Sequence, residues 1–201
     1  MKKLAITISI LLSMLFAISY STLARVIHVE VTEGASVSLE KYLEPSSLAD
    51  PAMVTGSYGF NEHLMLKCAY VTEEERNIIG GRFAFNKKMA FLLEHEWKDD
   101  NSSNKYGFIY KKNLNDRWDL VGLAEYESKD IILTGQAEYQ LFDTITVNAG
   151  LKYNKPDQGD ALIDLLVGAE LMPIDIFSLY FDYIIPEEGN NRIYFGVSYR
   201  F

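Results

Sequence analysis

Cysteine is almost missing from this chain: Cys68 stands alone in 201 residues. A single thiol closes no internal disulfide, so the fold is not a disulfide framework. Lying among Leu64, Leu66 and Tyr70, Cys68 reads as a small hydrophobe on an apolar face. Histidine is nearly as scarce, with His28, His63 and His95 scattered along the chain. No metal-ligand cluster is present, and no cofactor is implied. Basic residues are in deficit, 19 Lys and Arg against 28 Asp and Glu, for a formal net charge of −9. That argues against a nucleic-acid partner, which would want a basic surface. Beyond the first twenty residues there is also no long apolar run, which excludes a transmembrane helix.

The one long apolar run is N-terminal. Lys2 and Lys3 precede an uncharged stretch from Leu4 to Tyr20, and the small-residue site Thr22-Leu23-Ala24 follows. This is the pattern of a secretory signal peptide, expected to be cleaved after Ala24. The run is short for a membrane span, and no Cys follows it, so lipoprotein processing is not expected. The remaining residues, 25–201, make one domain by length.

From Ala52 onward the chain divides into alternating apolar segments of about ten residues separated by turn-formers. One set of breaks is tight: Asn61-Glu62, Asn86-Lys87-Lys88, Asn115-Asp116, Phe142-Asp143-Thr144 and Met172 to Asp175. A second set, longer and richer in acid, lies between them: Glu73 to Asn77, Asp99 to Asn104, Ser128 to Asp130, Pro156 to Asp160 and Pro186 to Asn191. Counting back adds an outer loop over Glu44 to Pro51 and a first strand within Ala35–Leu43, whose register Tyr42-Leu43 breaks. Arg25–Val31 also alternates, and two placements stay open for it: part of that strand, or a short periplasmic extension. Around Asp143 and Asp175 the stretches Ala137–Val147 and Ala169–Leu179 share an Ala-Glu pair and an Asp, a faint hairpin repeat. Gly80-Gly81 has no phosphate-loop context and reads as a bulge or close strand contact.

One face of these segments is apolar and aromatic, including Tyr58, Phe60, Phe83, Phe85, Trp97, Tyr106, Trp118, Tyr139, Phe177 and Phe181. The other mixes small residues with charge. Its bases are Lys67, Arg82, Lys105, Lys111, Arg117, Lys152, Arg192 and Arg200; its acids are Glu94, Glu96, Asp119, Glu125, Glu138, Asp164, Glu170 and Asp182. The last ten residues show the alternation most cleanly. Ile193, Phe195, Val197, Tyr199 and Phe201 share one face; Arg192, Tyr194, Gly196, Ser198 and Arg200 share the other.

An aromatic C-terminal residue on such a strand resembles the closing strand of Gram-negative outer-membrane β-barrels. The alternation of tight and long breaks is similar to theirs. The resemblance implies an all-β, antiparallel up-and-down transmembrane barrel of about twelve strands, ten being the alternative, with short periplasmic turns and a polar, charged lumen. It implies a place in the bacterial outer membrane, reached through the periplasm. It further implies that Phe195, Val197, Tyr199 and Phe201 are read by the barrel-assembly machinery, that lipid and lipopolysaccharide surround the barrel, and that it is a monomer. A soluble lipocalin-like barrel would turn the apolar face inward, but about twelve strands enclose a lumen too wide for these side chains to fill.

The lumen charges are expected to pair with one another, since an unpaired buried charge costs several kcal/mol, and to line a narrow pore for ions or small hydrophilic solutes. A closed, salt-bridged structural or adhesive barrel is the second reading. The strand number is similar to that of monomeric twelve-stranded channels for acidic oligosaccharides, and small barrels of the YfaZ type are another resemblance. The former have strongly basic lumens, from which the balance here departs. Acids of the expected loops, Glu73-Glu74-Glu75 among them, read as a solvated rim, or as ligands for divalent cations shared with lipopolysaccharide. No catalytic residue is expected. Only His95, beside Ser102 and Ser103, lies near the outer rim, and its register puts it on the lipid side.

Overall fold

The computed structural model describes residue 29, residues 31–43 and residues 52–201. The expected signal segment over 1–24, His28 and the expected outer loop over 44–51 lie outside them. Twelve strands follow in order: β1 (Gly34–Leu43), β2 (Ala52–Gly59), β3 (Leu64–Val71), β4 (Arg76–Asn86), β5 (Met89–Lys98), β6 (Asn101–Asn113), β7 (Trp118–Glu127), β8 (Asp130–Phe142), β9 (Ile145–Lys155), β10 (Leu162–Ile174), β11 (Phe177–Ile185) and β12 (Arg192–Arg200). Each pairs antiparallel with its sequence neighbours, and β1 closes on β12 from Ser36↔Arg200 to Leu43↔Ile193. Closure satisfies every edge, the condition for a sheet in hydrocarbon. Tyr42 and Leu43 therefore do not end the first strand's pairing, contrary to the expected break in register.

The end where β1 begins and β12 finishes is taken as periplasmic. Three turns there start with Asn, whose side-chain carbonyl accepts the backbone N–H two residues on: Asn61 from His63 at 2.8 Å, Asn86 from Lys88 at 2.8 Å and Asn115 from Arg117 at 2.9 Å. Such Asx turns reverse the chain in the fewest residues. Register shifts sit just ahead of three turns at this end, of which only the first is Asn-led: in β4 between Ala84 and Asn86, in β8 between Gln140 and Phe142, and in β10 between Leu171 and Ile174. Met172 to Ile174 are thus part of β10, where a turn was expected.

Two of the outer connections are shorter than expected, while those between β9 and β10 and between β11 and β12 keep the expected loops. Lys98 pairs with Asn101 and Glu127 with Asp130, leaving two-residue hairpins at Asp99-Asp100 and Ser128-Lys129. Asp99, Ser128 and Lys129 take φ values of 49°, 48° and 78°, the left-handed geometry that tight hairpins demand. Asn101 to Asn104, expected as loop, are strand.

Large apolar side chains stand exposed along the outer face, among them Tyr58, Phe60, Phe83, Leu93, Phe108, Leu133, Leu151 and Phe181. In water so continuous an apolar surface would be a liability; in hydrocarbon it is what a spanning barrel requires. Aromatic pairs gather at the periplasmic end: Tyr58–Phe60, Phe83–Phe85, Trp118–Tyr139 and Tyr199–Phe201, with ring centroids 4.7–5.1 Å apart. Amphipathic rings at that height form one girdle of the bilayer interface.

Candidate pore lumen

Strand alternation turns the second face inward, where the buried polar residues are found, including Glu40, Glu96, Glu125, Glu138, Glu170 and Asp182. The charges pair across strands in a belt set by register. Lys67 Nζ meets Glu94 at 2.5 Å, although β4 lies between them. The bridge crosses at Gly80, which pairs with Lys67 on one side and Glu94 on the other. A β-carbon there would stand 2.9 Å from Glu94 Cγ, so only glycine leaves the crossing open. Glu94 in turn faces Lys105, and Lys105 faces Glu127 with a 3.0 Å ion pair. Farther round, Lys152 faces Asp164.

Nearer the outer end Arg76 bridges Glu96 at 2.5 Å and Glu74 at 3.1 Å. Nearer the periplasmic end Lys111 bridges Asp119 at 2.8 Å and Glu138 at 3.7 Å. A charge in a low-dielectric wall demands such a partner. Arg76 and Glu127 were not among the expected lumen residues: Arg76 fell in the expected break Glu73 to Asn77, and Glu127 stood at the edge of the one beginning at Ser128. Their even spacing from Arg82 and Glu125 was the available signal.

The opposite wall has a different character. A cavity of about 370 Å³ is lined by Ser36, Ser38, Ser57, Ser178 and Ser198, with Arg82, Glu170, Tyr180, Asp182 and Arg200 also bordering it. Ser36 and Ser57 share a 2.6 Å hydrogen bond between their hydroxyls. Tyr180 lies flat over Gly196, its register partner, whose added Cβ would fall 2.4 Å from the phenol oxygen. Arg192 starts β12 on this face, and Arg200 ends it by donating from Nη1 to the carbonyl of Asp175 at 3.3 Å. Small hydroxyls on an inward face carry no distinctive sequence signal, and this wall was not foreseen.

Two expectations change. Arg117 is not on the wall; it is exposed in the turn before β7, where its carbonyl accepts the Gln140 N–H at 2.9 Å. The inner face is also not uniformly polar, since three apolar clusters lie on it, around Ile109, around Val71 and around Leu166. The first includes Val29 and Val31. These residues precede β1 and pack against inward-facing side chains of β4 to β7, so they are neither part of the first strand nor a periplasmic extension.

At the rim, His95 donates from Nδ1 to Asn104 Oδ1 at 3.0 Å and stacks on Trp97 on the outer face. Ser103 points inward and donates to Glu127 at 3.3 Å. Histidine and serine are thus on opposite sides of the wall. His63 contacts the Ala84 carbonyl at 2.9 Å near the periplasmic turn, and Cys68 is exposed on the outer face. Phe195, Val197 and Tyr199 continue that face on β12, and Phe201 donates its N–H to the Ala35 carbonyl at 2.8 Å.

No family model and no curated protein matches the chain. Solved structures do. The KdgM porin matches with a TM-score of 0.67 at 16% identity, over 83% of this chain and 99% of that one. The NanC porin matches with a TM-score of 0.65 at 7% identity, over 82% and 100%. The outer-membrane protein Omp33 of Acinetobacter baumannii matches with a TM-score of 0.50 at 9% identity, over 87% and 100%. Closed through twelve strands, with apolar side chains outward and charge inward, the chain has the fold of the outer-membrane porin barrels.

Proposed function

We propose that this barrel is a narrow passive pore of the bacterial outer membrane for ions and small hydrophilic solutes. The observation that carries this reading is the cavity of about 370 Å³ inside the barrel, walled on one side by serine hydroxyls. A hydroxylated wall exchanges hydrogen bonds with water or a polyol without holding either tightly.

The charge belt sets what the pore favours. KdgM has been solved with oligogalacturonate, an acidic sugar polymer. Such a ligand calls for unneutralised bases along its path. Here Lys67, Lys105 and Lys111 are each tied to carboxylates, so this side of the lumen offers no comparable track to a polyanion. The solutes it suits are small, neutral or singly charged.

A closed structural barrel is the second reading, favoured by the apolar clusters that occupy part of the lumen. Single-channel recording in planar bilayers separates the two. Steady conductance supports the pore; silence from protein that still shows heat-modifiable folding supports the closed barrel. Catalysis at the rim has no assembled group behind it, because His95 and Ser103 are separated by the wall. Phospholipase, deacylase or protease activity in the detergent-solubilised protein would overturn that part. The barrel acts as a monomer in contact with lipid and lipopolysaccharide, and its last strand is the address for the assembly machinery.

A further inference from the structure

Ahead of β1, Val29 and Val31 lie inside the barrel. Val29 and Val31 are 1% and 6% exposed, and they pack on Ala84, Ala90, Ile109 and Val121. Register makes these wall residues one patch. Ala84 pairs with Ala90, Ala90 with Ile109, and Ile109 with Leu123, which lies two residues along β7 from Val121. All of them face inward in the periplasmic half. A greasy patch in a hydrated lumen is unfavourable unless something apolar covers it, and two valines cover it.

The wall is also shaped to let this segment pass. Gly59 ends β2 on the inner face, and a β-carbon there would stand 2.0 Å from the Thr32 carbonyl oxygen. The chain then turns into β1 at Gly34, whose φ of +99° is a conformation few other residues adopt. Thr32 itself borders the cavity, along with Ser36, Ser57 and Ser178. The segment therefore narrows the lumen from the side of β4 to β7, and the cavity that remains lies between it, the edge of that patch at Leu92, Ile109 and Leu123, and the hydroxyl wall.

We infer that Val29 and Val31 form the size-determining constriction of the pore: with the Thr32 backbone seated against Gly59 they occupy one side of the lumen, and the free cross-section is what remains between them and the serine wall. This deepens the pore reading and rests on it.

The test uses the full chain in a Cys68→Ser background. The double variant Val29→Asp/Val31→Asp puts two carboxylates against the apolar patch, where they do not stay. Gly59→Val keeps both valines but blocks the path of Thr32, and serves if the double variant does not insert. A Val121→Cys reporter reads whether the patch is covered, through its rate of labelling by a water-soluble maleimide. Either variant is expected to raise single-channel conductance by about twofold or more, to admit larger neutral sugars in liposome swelling, and to speed labelling by about tenfold. A silent parent with a conducting variant also upholds the inference, the segment then closing the pore outright. Equal conductance in parent and variant overturns the inference and leaves the pore reading standing, as does labelling that is already fast in the parent. Silence from parent and variants alike defeats both.

Discussion

Glycine on the inner face of this barrel is a space through which a neighbour's side chain crosses. Gly80 shows what the space does: Lys67 and Glu94 are two strands apart, and their ion pair closes only because nothing projects between them. Gly80→Ala would set a methyl 2.7 Å from the Leu93 carbonyl and 2.9 Å from Glu94 Cγ. Overpacking of this kind costs about 1–3 kcal/mol. Urea unfolding from detergent micelles should show that loss for Gly80→Ala and almost none for Gly122→Ala, where an added Cβ meets nothing within 4 Å. Equal midpoints for the two variants would show that the crossing has no special importance. Gly196 beneath the Tyr180 ring repeats the arrangement on the serine wall, with an aromatic ring in place of the ion pair.

Hairpins are the repeating element, and their tightest turns carry strain of their own. Lys129 sits at φ 78° in the two-residue Ser128-Lys129 turn. A left-handed residue with a Cβ costs roughly 1–2 kcal/mol, partly offset in glycine by its freer unfolded chain. The 3.5 Å contact of Lys129 with Asp157 is fully at the surface and adds little. Lys129→Gly should therefore stabilise the barrel by about 0.5–1 kcal/mol, read as a higher urea midpoint with an unchanged slope. Strand number, the outward aromatic face and the Asn-led periplasmic turns were legible in the sequence, because period-two alternation and Asx chemistry are local properties. The outer hairpins were harder to read. Acidic, serine-rich stretches such as Asp99 to Asn104 look like loops, yet strands that rise above the bilayer need polar residues on both faces. Val29 and Val31 misled for the opposite reason: alternation marks a residue as half-buried without saying whether a strand or a lumen wall buries it. Pairings such as Arg76 with Glu96 depend on register across strands, which no single segment contains.

At the scale of the whole barrel, the balance of lumen charge has an electrical consequence. Fixed charges select ions when their field is not cancelled nearby, and a pair closed within 3 Å presents a dipole to ions passing several ångströms away. The ion pairs of Lys67, Lys105 and Lys111 are of this kind, so the parent pore should discriminate weakly between potassium and chloride. Removing one acid frees its base. Glu94→Gln leaves Lys67 positive without its 2.5 Å partner, beside a cavity that Lys67 and Arg82 both line. Reversal potentials under a potassium chloride gradient should then move toward chloride in Glu94→Gln and back toward the parent value in Lys67→Met/Glu94→Gln. The shift should shrink as bulk salt rises, because screening shortens to about 3 Å at 1 M. A single-variant shift that survives high salt, or one that the second substitution does not reverse, would mean that pore shape rather than the freed lysine sets selectivity. The double variant also separates the two roles of the pair: it restores electrical balance without restoring the salt bridge, so any stability still missing from it belongs to the bridge alone.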